Sequence, residues 1–598
     1  MPTYKAPLDD VRFLLHELLD VEQLSRLPGY EEATPDVLDA VFEEMARFCE
    51  EVLAPINQVG DSVGCTYENG VVRTAPGFIE AYRQFCEGGW PALSCDPAFG
   101  GQGLPNLMRT VMEEFICSAN LSFGMYPGLT HGAYHALKVY GSDELKQTYM
   151  EKLVSGQWTG TMCLTEAHAG TDLGIITTRA EPAGDGAYHL TGQKIFISAG
   201  EHDLAENIVH LVLAKLPDAP GGSKGISLFI VPKFLPTDEG KPGTRNGVTC
   251  GSIEHKMGIK GSATCVLNFD GAKGFLVGEP HKGMRAMFIM MNGARLAVGI
   301  QGLGLSEVAY QNAVAYARER LQGRSLTGAK NPGGPADAII EHPAVRQGLL
   351  RVKALNEGMR ALALWIGVTI DVEEHHPDPE VRAAALDLVA LMTPVIKAFL
   401  TDMAFENTNI ALQTLGGHGY VREYGMEQFV RDARIGQIYE GTNAVQAMDL
   451  IGRKLPEGMG RLLRRFFHPV SELIEQSLAD EGLKEFAEPM QKAFGRLQQV
   501  TQLVAAKSMA NPEEAGAAAE DYLHMMGHVA VGHMWLRMAK LSREKLAAGG
   551  NGKSAFYENK LKTARFYFLK VLPQVHTCAA RIAGGSGPVM AIDRKSVV

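Results

Sequence analysis

The sequence predicts an α+β protein in which a helical region is followed by a β region and then by further helices. Apolar residues recur at helical spacing up to about residue 158, and they do so again after about residue 282. Between these regions, short β-branched and aromatic runs are separated by Gly, Pro, Asn and Asp. No helical pattern interrupts these runs, which favours an antiparallel barrel or sandwich.

These changes of pattern predict five segments. They are an N-terminal extension over 1–35, an α-helical domain over 36–158, a β domain over 159–282, a helical bundle over 283–450 and an additional helical domain over 451–598. In the last segment, Leu523, Met526, Ala530, Met534, Met538 and Leu541 follow helical spacing. The glycines of residues 549–552 separate this helix from a last one near 554–572.

Composition narrows the class of protein. The net charge of −11 argues against a generic nucleic-acid binder. The charge is uneven, because residues 451–598 hold 21 Lys and Arg against 14 Asp and Glu. Nine scattered cysteines without a C-x-x-C pair predict reduced thiols and no metal site. We also find no signal-peptide pattern and no apolar run long enough to span a membrane, and we expect a cytoplasmic protein.

Six short motifs, taken in order, carry most of the functional information. They are Cys163–Asp172 (C-L-T-E-A-H-A-G-T-D), 192–200 (G-Q-K-I-F-I-S-A-G), 254–262 (E-H-K-M-G-I-K-G-S), 316–320 (Y-A-R-E-R), 413–420 (Q-T-L-G-G-H-G-Y) and 438–442 (I-Y-E-G-T). The sequence has no P-loop, and no G-x-G-x-x-G follows a strand, so a nucleotide would be held by other means.

The ordered series resembles the acyl-CoA dehydrogenase family over roughly residues 40–450. The two ends resemble the longer bacterial subgroup, which includes long-chain acyl-CoA dehydrogenases and 3-methylthiopropanoyl-CoA dehydrogenases. The resemblance implies an FAD cofactor and the family fold. That fold has an N-terminal helical domain, a middle antiparallel β-barrel or sandwich and a C-terminal four-helix bundle, here with an extra helical domain.

Glu440 matches the family's catalytic glutamate, which removes the α-proton of an acyl-CoA thioester. A carboxylate does this well only if its pKa is raised toward the working pH, as burial beside an acyl chain and a flavin would do. Gly441 allows the backbone to approach a ligand closely. The resemblance places Tyr439 and Gly441 at the substrate and Thr442 close to FAD. It also gives the backbone N–H of Glu440 an oxyanion-hole role.

Other motifs match the family's flavin and CoA contacts. The resemblance assigns Thr165, Phe196 and Ser198 to the flavin, and Thr171 and Arg295 to the acyl-CoA. Phe196 stands where Trp is common, so the apolar shelf is kept without an indole N–H donor. Ala167 replaces a usual Pro, which leaves the loop less restricted in φ.

A third group of residues matches contacts that the family makes across subunits. Gln413, Gly416 and Gly417 form the Q-x-x-G-G element, which reaches the FAD of a neighbouring subunit together with an arginine matching Arg320. The resemblance therefore implies a homodimer or a larger assembly. After Arg320 the sequence is one residue shorter than the usual pattern.

The expected reaction is α,β-dehydrogenation of a medium-to-long-chain acyl-CoA to a trans-2-enoyl-CoA in β-oxidation, with electrons passing to an electron-transfer flavoprotein. Three alternatives remain: a 3-methylthiopropanoyl-CoA dehydrogenase, an acyl-CoA oxidase, and a related flavoprotein that binds DNA through its basic C-terminal region. That region could also make peripheral membrane contact. Packing of the C-terminal region on the body of the protein and on its dimer is the favoured interpretation.

Overall fold

The computed structural model describes residues 2–593 and 595–596, and the chain divides into two compact units. One unit contains residues 45–297. The other contains residues 1–44 together with 298–598.

The elements of the first half of the chain match the predicted change from helix to strand. The helices are α1 (Leu8–Arg12), α2 (Pro35–Phe48), α3 (Asn57–Val63), α4 (Phe78–Glu87), α5 (Asn106–Tyr140) and α6 (Asp143–Val154). The strands are β1 (Thr66–Glu68), β2 (Val71–Arg73), β3 (Trp158–Cys163), β4 (Arg179–Pro182), β5 (Tyr188–Ser198), β6 (Asn207–Lys215), β7 (Ile226–Pro232), β8 (Phe234–Pro236), β9 (Pro242–Arg245), β10 (Val248–Ile253) and β11 (Thr264–Val277).

The predicted β domain is a barrel. Strands β11, β5, β4, β6 and β7 pair in a closed ring, with β10 beside β11 and β3 beside β6. The pairing is mixed, which corrects the expectation of a purely antiparallel sheet, because β3 and β4 run parallel to β6. No tight hairpin links either strand to β6, so turn geometry does not impose an antiparallel direction.

Strand β6 separates two apolar layers of this unit. Its residues alternate, so that Leu211 and Leu213 pack in one cluster with Tyr134 of α5 and Trp158 of β3, whereas Val212 and Ala214 pack in the other cluster, among the barrel strands. Burial on both faces explains why β6 and β7 are continuous apolar runs.

The second half of the chain is helical. Its helices are α7 (Gly283–Glu319), α8 (Pro343–His375), α9 (Pro379–Thr414), α10 (Gly417–Tyr420), α11 (Met426–Arg434), α12 (Asn443–Asp449), α13 (Arg461–Leu478), α14 (Lys484–Ala510), α15 (Glu513–Ala547), α16 (Ser554–Phe566), α17 (Gln574–Ala583) and α18 (Gly587–Met590). The predicted break at 549–552 separates α15 from α16.

Helix α15 of the additional domain packs directly on the bundle. A Cβ at Gly527 would lie 2.3 Å from the ring of Phe399 on α9, so only glycine permits this approach. Trp535 on α15 donates its Nε1 hydrogen to the carbonyl of Ala354 on α8 at 2.9 Å. The additional domain is therefore part of the same core as α8 and α9.

Part of the positive charge of residues 451–598 pairs with carboxylates from other segments of the same unit. Lys560, only 4% exposed, pairs with Asp10 of the N-terminal extension and with Glu357 at 2.8 Å. Glu17 pairs with Lys545 at 3.3 Å, and within the C-terminal region itself Arg565 binds both oxygens of Glu485. Such pairing weakens the basis of the DNA-binding alternative and supports a C-terminal region packed on the body.

Helices α7 and α9 are long and apolar enough to cross a membrane. Within their most apolar windows, 56% and 67% of the residues are buried inside the protein, as in core helices.

Candidate active site

Glu440 lies in a short connection between two helical segments. A 3₁₀ turn, Ile435–Gln437, follows α11, and Thr442 caps α12 by accepting a hydrogen bond from the backbone N–H of Val445 at 3.4 Å. Glu440 has φ +57° and Gly441 has φ +82°. A left-handed conformation costs a non-glycine residue about 1–2 kcal/mol, and such strain concentrates at functional sites.

Buried polar side chains hold this connection in place. The Lys397 ammonium, fully buried on α9, donates to the carbonyl of Gly441 at 2.8 Å and to Oδ1 of Asn443 at 2.7 Å. Gln446 donates its Nε2 hydrogen to the carbonyl of Glu440 at 3.1 Å. The two carbonyls that follow the Cα of Glu440, its own and that of Gly441, are therefore fixed from the protein interior.

Tyr439 is anchored separately, because its hydroxyl donates to Oε1 of Gln301 on α7. Lys397 was missed in the sequence, although a lysine within the apolar run of residues 391–400 is a visible signal that a buried cation is paired there.

In the other unit, Phe196 lies at a β-bulge. Ile195 and Phe196 of β5 oppose the single residue Val266 of β11, because Ile197 pairs with Cys265 and Lys194 with Leu267. Phe196 has φ +59°, and 59% of its surface is exposed. An aromatic ring held in a strained conformation and left uncovered by its own chain suits a flat ligand.

A buried ion pair supports the strand next to this bulge. Lys194 donates to Oε1 of Glu166 and to the carbonyl of Leu164, each at 2.9 Å. Glu166 also accepts the backbone and hydroxyl hydrogens of Thr177 and Thr178, at 2.6–3.0 Å. Burial alone would raise the pKa of Glu166, but Lys194 and these hydrogen bonds outweigh it and lower the pKa to about 2.

The remaining predicted site residues of this unit differ in their exposure and in their contacts. The carbonyl of Thr165 accepts the N–H of Ile195 at 2.9 Å, which brings Thr165 next to the bulge. Thr171 is exposed in the loop before the 3₁₀ turn Leu173–Ile175. Arg295 on α7 is 9% exposed, donates to Oδ1 of Asn292 at 3.3 Å and lies 5.9 Å from the ring of Phe288.

Arg320, Gln413, Gly416 and Gly417 are all exposed. The end of α7 and the Q-x-x-G-G element are joined by a hydrogen bond of 2.8 Å between the Tyr316 hydroxyl and Nδ1 of His418. Large apolar side chains lie exposed in the same segments of the chain: Leu321, Leu326, Tyr420, Val421 and Tyr424. Exposed apolar residues of this kind are typical of a surface that a partner covers.

The donor set fits the flavin that the resemblance implies. Phe196 offers an exposed aromatic ring, Ser198 is half-buried two residues further along β5, and Thr165 is half-buried in the segment that bonds to Ile195. Hydroxyl and backbone donors around an apolar shelf match a planar ring with polar edges.

Comparisons with known proteins now define the class. Four family models match in chain order: acyl-CoA dehydrogenase N-terminal domain over 36–157, middle domain over 161–272, C-terminal domain over 281–455, and acetyl-CoA dehydrogenase C-terminal like over 466–593. The protein is an oxidoreductase of an FAD-dependent class. The chain belongs to the acyl-CoA dehydrogenase family, in the form that has an additional C-terminal domain.

Two curated relatives cover nearly the whole chain. The chain is 42% identical to 3-methylmercaptopropionyl-CoA dehydrogenase of Ruegeria pomeroyi, over 97% of this chain and 98% of that one. It is 34% identical to the broad-specificity linear acyl-CoA dehydrogenase FadE5 of Mycobacterium tuberculosis, over 99% of each. A solved acyl-CoA dehydrogenase from Bacillus anthracis, complexed with FAD, shares the fold, with a TM-score of 0.72, 20% identity and coverage of 94% and 90%.

Proposed function

We propose that the protein dehydrogenates an acyl-CoA thioester between its α- and β-carbons, giving a trans-2-enoyl-CoA, with Glu440 as the base. The observation that carries this proposal is the strained residue Glu440 at φ +57°, whose own carbonyl is bound by the buried Gln446 and whose next carbonyl, that of Gly441, is bound by the buried Lys397. A base must be aligned closely with the proton that it removes, and a connection without such supports would not maintain that alignment.

The residues of this chain have separate roles in the proposed reaction. The Glu440 carboxylate accepts the α-proton, and the electron pair of that C–H bond forms the new double bond. Thr165, Phe196 and Ser198 hold the flavin ring, and the chemistry that FAD supplies when bound is acceptance of the hydride from the β-carbon. The N–H of Glu440 polarises the thioester carbonyl, and the buried Lys397 keeps the peptide after it from rotating.

For the substrate, we propose 3-methylthiopropanoyl-CoA as the first candidate. The support is the 42% identity over almost the full length of a relative named for that substrate. A thioether is close to a methylene in size, so the same pocket would admit a short straight chain as well.

Straight-chain acyl-CoAs, including the medium-to-long chains expected above, are the second candidate. The relative named as a broad-specificity linear acyl-CoA dehydrogenase supports them, at 34% identity over nearly the whole chain.

An anaerobic panel tests both the reaction and the substrate. Purified FAD-loaded protein is mixed with 3-methylthiopropanoyl-CoA and with straight-chain acyl-CoAs from C4 to C16, and bleaching of the yellow flavin is followed. We expect bleaching by at least one of them, and the fastest identifies the preferred chain. If none bleaches the flavin, the proposed reaction is wrong.

Glu440→Gln keeps the size of the side chain but removes the base. We expect it to retain yellow FAD and to bleach about 10²–10⁴-fold more slowly, because general-base catalysis contributes about that much. Bleaching at the wild-type rate would remove Glu440 from the mechanism.

The electron acceptor and the assembly are part of the same proposal. We infer an electron-transfer flavoprotein as acceptor, and substrate-dependent peroxide release in air would favour the oxidase alternative instead. We also infer a cytoplasmic homodimer in which Arg320 and the Q-x-x-G-G element of one copy reach the FAD of the other. Dissociating the assembly should then release FAD, and a monomer with full flavin occupancy would contradict the shared site.

A further inference from the structure

His524 of the additional domain contacts Asp402, a residue that supports the connection containing Glu440. Asp402 on α9 accepts hydrogen bonds at Oδ1 from Nε2 of Gln437 and Nδ2 of Asn443, both at 2.7 Å. These two residues stand immediately outside the 438–442 connection, one at each end. The other oxygen of Asp402, Oδ2, accepts from Nε2 of His524 on α15 at 2.8 Å.

The position of His524 is set by close packing of two helices. Gly527, one turn further along α15, brings the backbone against the ring of Phe399 on α9. The His524 ring packs edge-on against the same ring, with centroids 5.8 Å apart. This packing against Phe399 fixes one side of the His524 ring and holds the ring next to Asp402.

The surroundings of His524 contain charges of both signs. The facing groups are Asp402 and Glu406 on α9, Arg434 on α11, and Glu520 and Asp521 on α15 itself. Burial alone would lower the pKa of His524, but the bond to Asp402 and the nearby carboxylates outweigh it and raise the pKa. Burial would likewise raise the pKa of Asp402, but His524 and the amide donors lower it.

A cavity of about 300 Å³ opens beside this pair and is lined by residues of α15 together with Gln437, Ile438, Thr442 and Asn443. One wall of the connection therefore faces open space, so its pose depends on the bonds that remain. Two of those bonds, one at each end of the connection, are made by Asp402.

We propose that His524 is a positioning residue for Glu440, acting through Asp402, so that the additional C-terminal domain sets the pose of the base. The proposal rests on the role of Glu440 proposed above. Without His524, the Asp402 carboxylate loses its fixed orientation, and both ends of the strained connection loosen together. Alignment of the base then suffers, whereas substrate affinity, which depends on other contacts, does not.

The test separates the chemical step from binding. In full-length, FAD-loaded protein, His524→Leu removes the donor to Asp402. With 3-methylthiopropanoyl-CoA or butyryl-CoA, whichever bleaches the wild type faster, we expect the bleaching rate at saturation to fall about 10- to 100-fold, since small misplacements cost about that much. The Kd of the acyl-CoA should stay within about twofold. His524→Gln retains an N–H donor and should recover most of the rate.

His528 provides the matched control. It lies one turn along α15, is 2% exposed, and packs on Phe399 with centroids 4.9 Å apart. His528→Leu should therefore bleach at close to the wild-type rate. If His524→Leu and His528→Leu bleach at the same rate, whether that rate is normal or slowed, the positioning role is refuted.

If His524→Leu does not fold, Asp402→Asn provides a second test of the proposal. It preserves the shape of the side chain but removes the charge that holds His524. Slow bleaching with unchanged substrate Kd supports the proposal, and a wild-type rate overturns it. Failure of the proposed function looks different, because then the wild type is not bleached at all or Glu440→Gln bleaches normally.

Discussion

Two strained residues, one in each unit, are supported by buried charges in different ways. Phe196 follows Lys194, whose partner Glu166 belongs to the same β domain. Glu440 depends on Lys397 and on Asp402, and Asp402 is held by His524 from the additional domain. The support next to Phe196 is therefore contained within its own domain, whereas the support of Glu440 uses a segment far along the chain. The barrel should tolerate changes elsewhere, and the base should respond to changes in the additional domain.

The largest expected effect comes from breaking the Glu166–Lys194 pair. Lys194→Met leaves the Glu166 carboxylate buried without its cation, which typically costs about 3–5 kcal/mol of folding free energy. Urea unfolding measures this loss. Lys273→Met is the control, because its pair with Asp185 is 34% and 55% exposed and is worth about 0–1 kcal/mol. Equal losses in the two variants would show that the buried pair has no special weight.

The corresponding change next to Glu440 is Lys397→Met. It leaves the carbonyl of Gly441 and the amide oxygen of Asn443 short of a donor, which costs about 1–3 kcal/mol for a buried polar group. We expect a smaller stability loss than in Lys194→Met but slower flavin bleaching at saturating substrate, because the peptide after Glu440 is released. A variant with wild-type bleaching would contradict the role given to Lys397.

The pH dependence of stability distinguishes the two histidines of α15. The pKa of His524 is raised on folding, so its stabilisation is complete below the unfolded pKa near 6.5 and is lost as the pH rises through the folded pKa. Burial is the largest of the causes that lower the pKa of His528 to about 3, and the charges of His524 and Arg351 add to it. His528 therefore destabilises the fold as the pH falls below 6.5.

Melting curves at pH 5.5 and pH 8.5 check these signs. Relative to the wild type, His524→Leu should be less stable at the lower pH than at the higher one, whereas His528→Leu should gain relative stability at the lower pH. The same trend in both variants would show that the Asp402 contact does not control the titration of His524.

The smallest effect concerns the bulge. Phe196→Gly removes the cost of φ +59° but adds the chain entropy of glycine, so the FAD-free protein should gain about 0.5–1 kcal/mol. FAD affinity should fall, because the aromatic shelf is gone. Phe196→Ala keeps the strain and also loses the shelf, so it should weaken FAD without stabilising the protein. Unfolding of the FAD-free protein and flavin titration measure both effects.

Much of the fold was predictable because it depends on local patterns. Helical periodicity predicted α15, and the glycines after it predicted its end. The closed ring of strands was not predictable in detail, since the parallel pairing of β3 with β6 joins residues more than 40 positions apart. The bulge in β5 was not predictable either, and it places Lys194 and Ile197 toward the interior and Phe196 toward solvent.

By itself, the sequence determined the family, and it predicted the residues proposed for the flavin and for the base, because short local motifs carry this information. Only the tertiary structure decided which distant charges meet. The pairing of Asp10 with Lys560 and of Asp402 with His524 depends on how helices pack. The physical reason is that a motif records local geometry, whereas a buried ion pair is set by the folding of the whole chain around it.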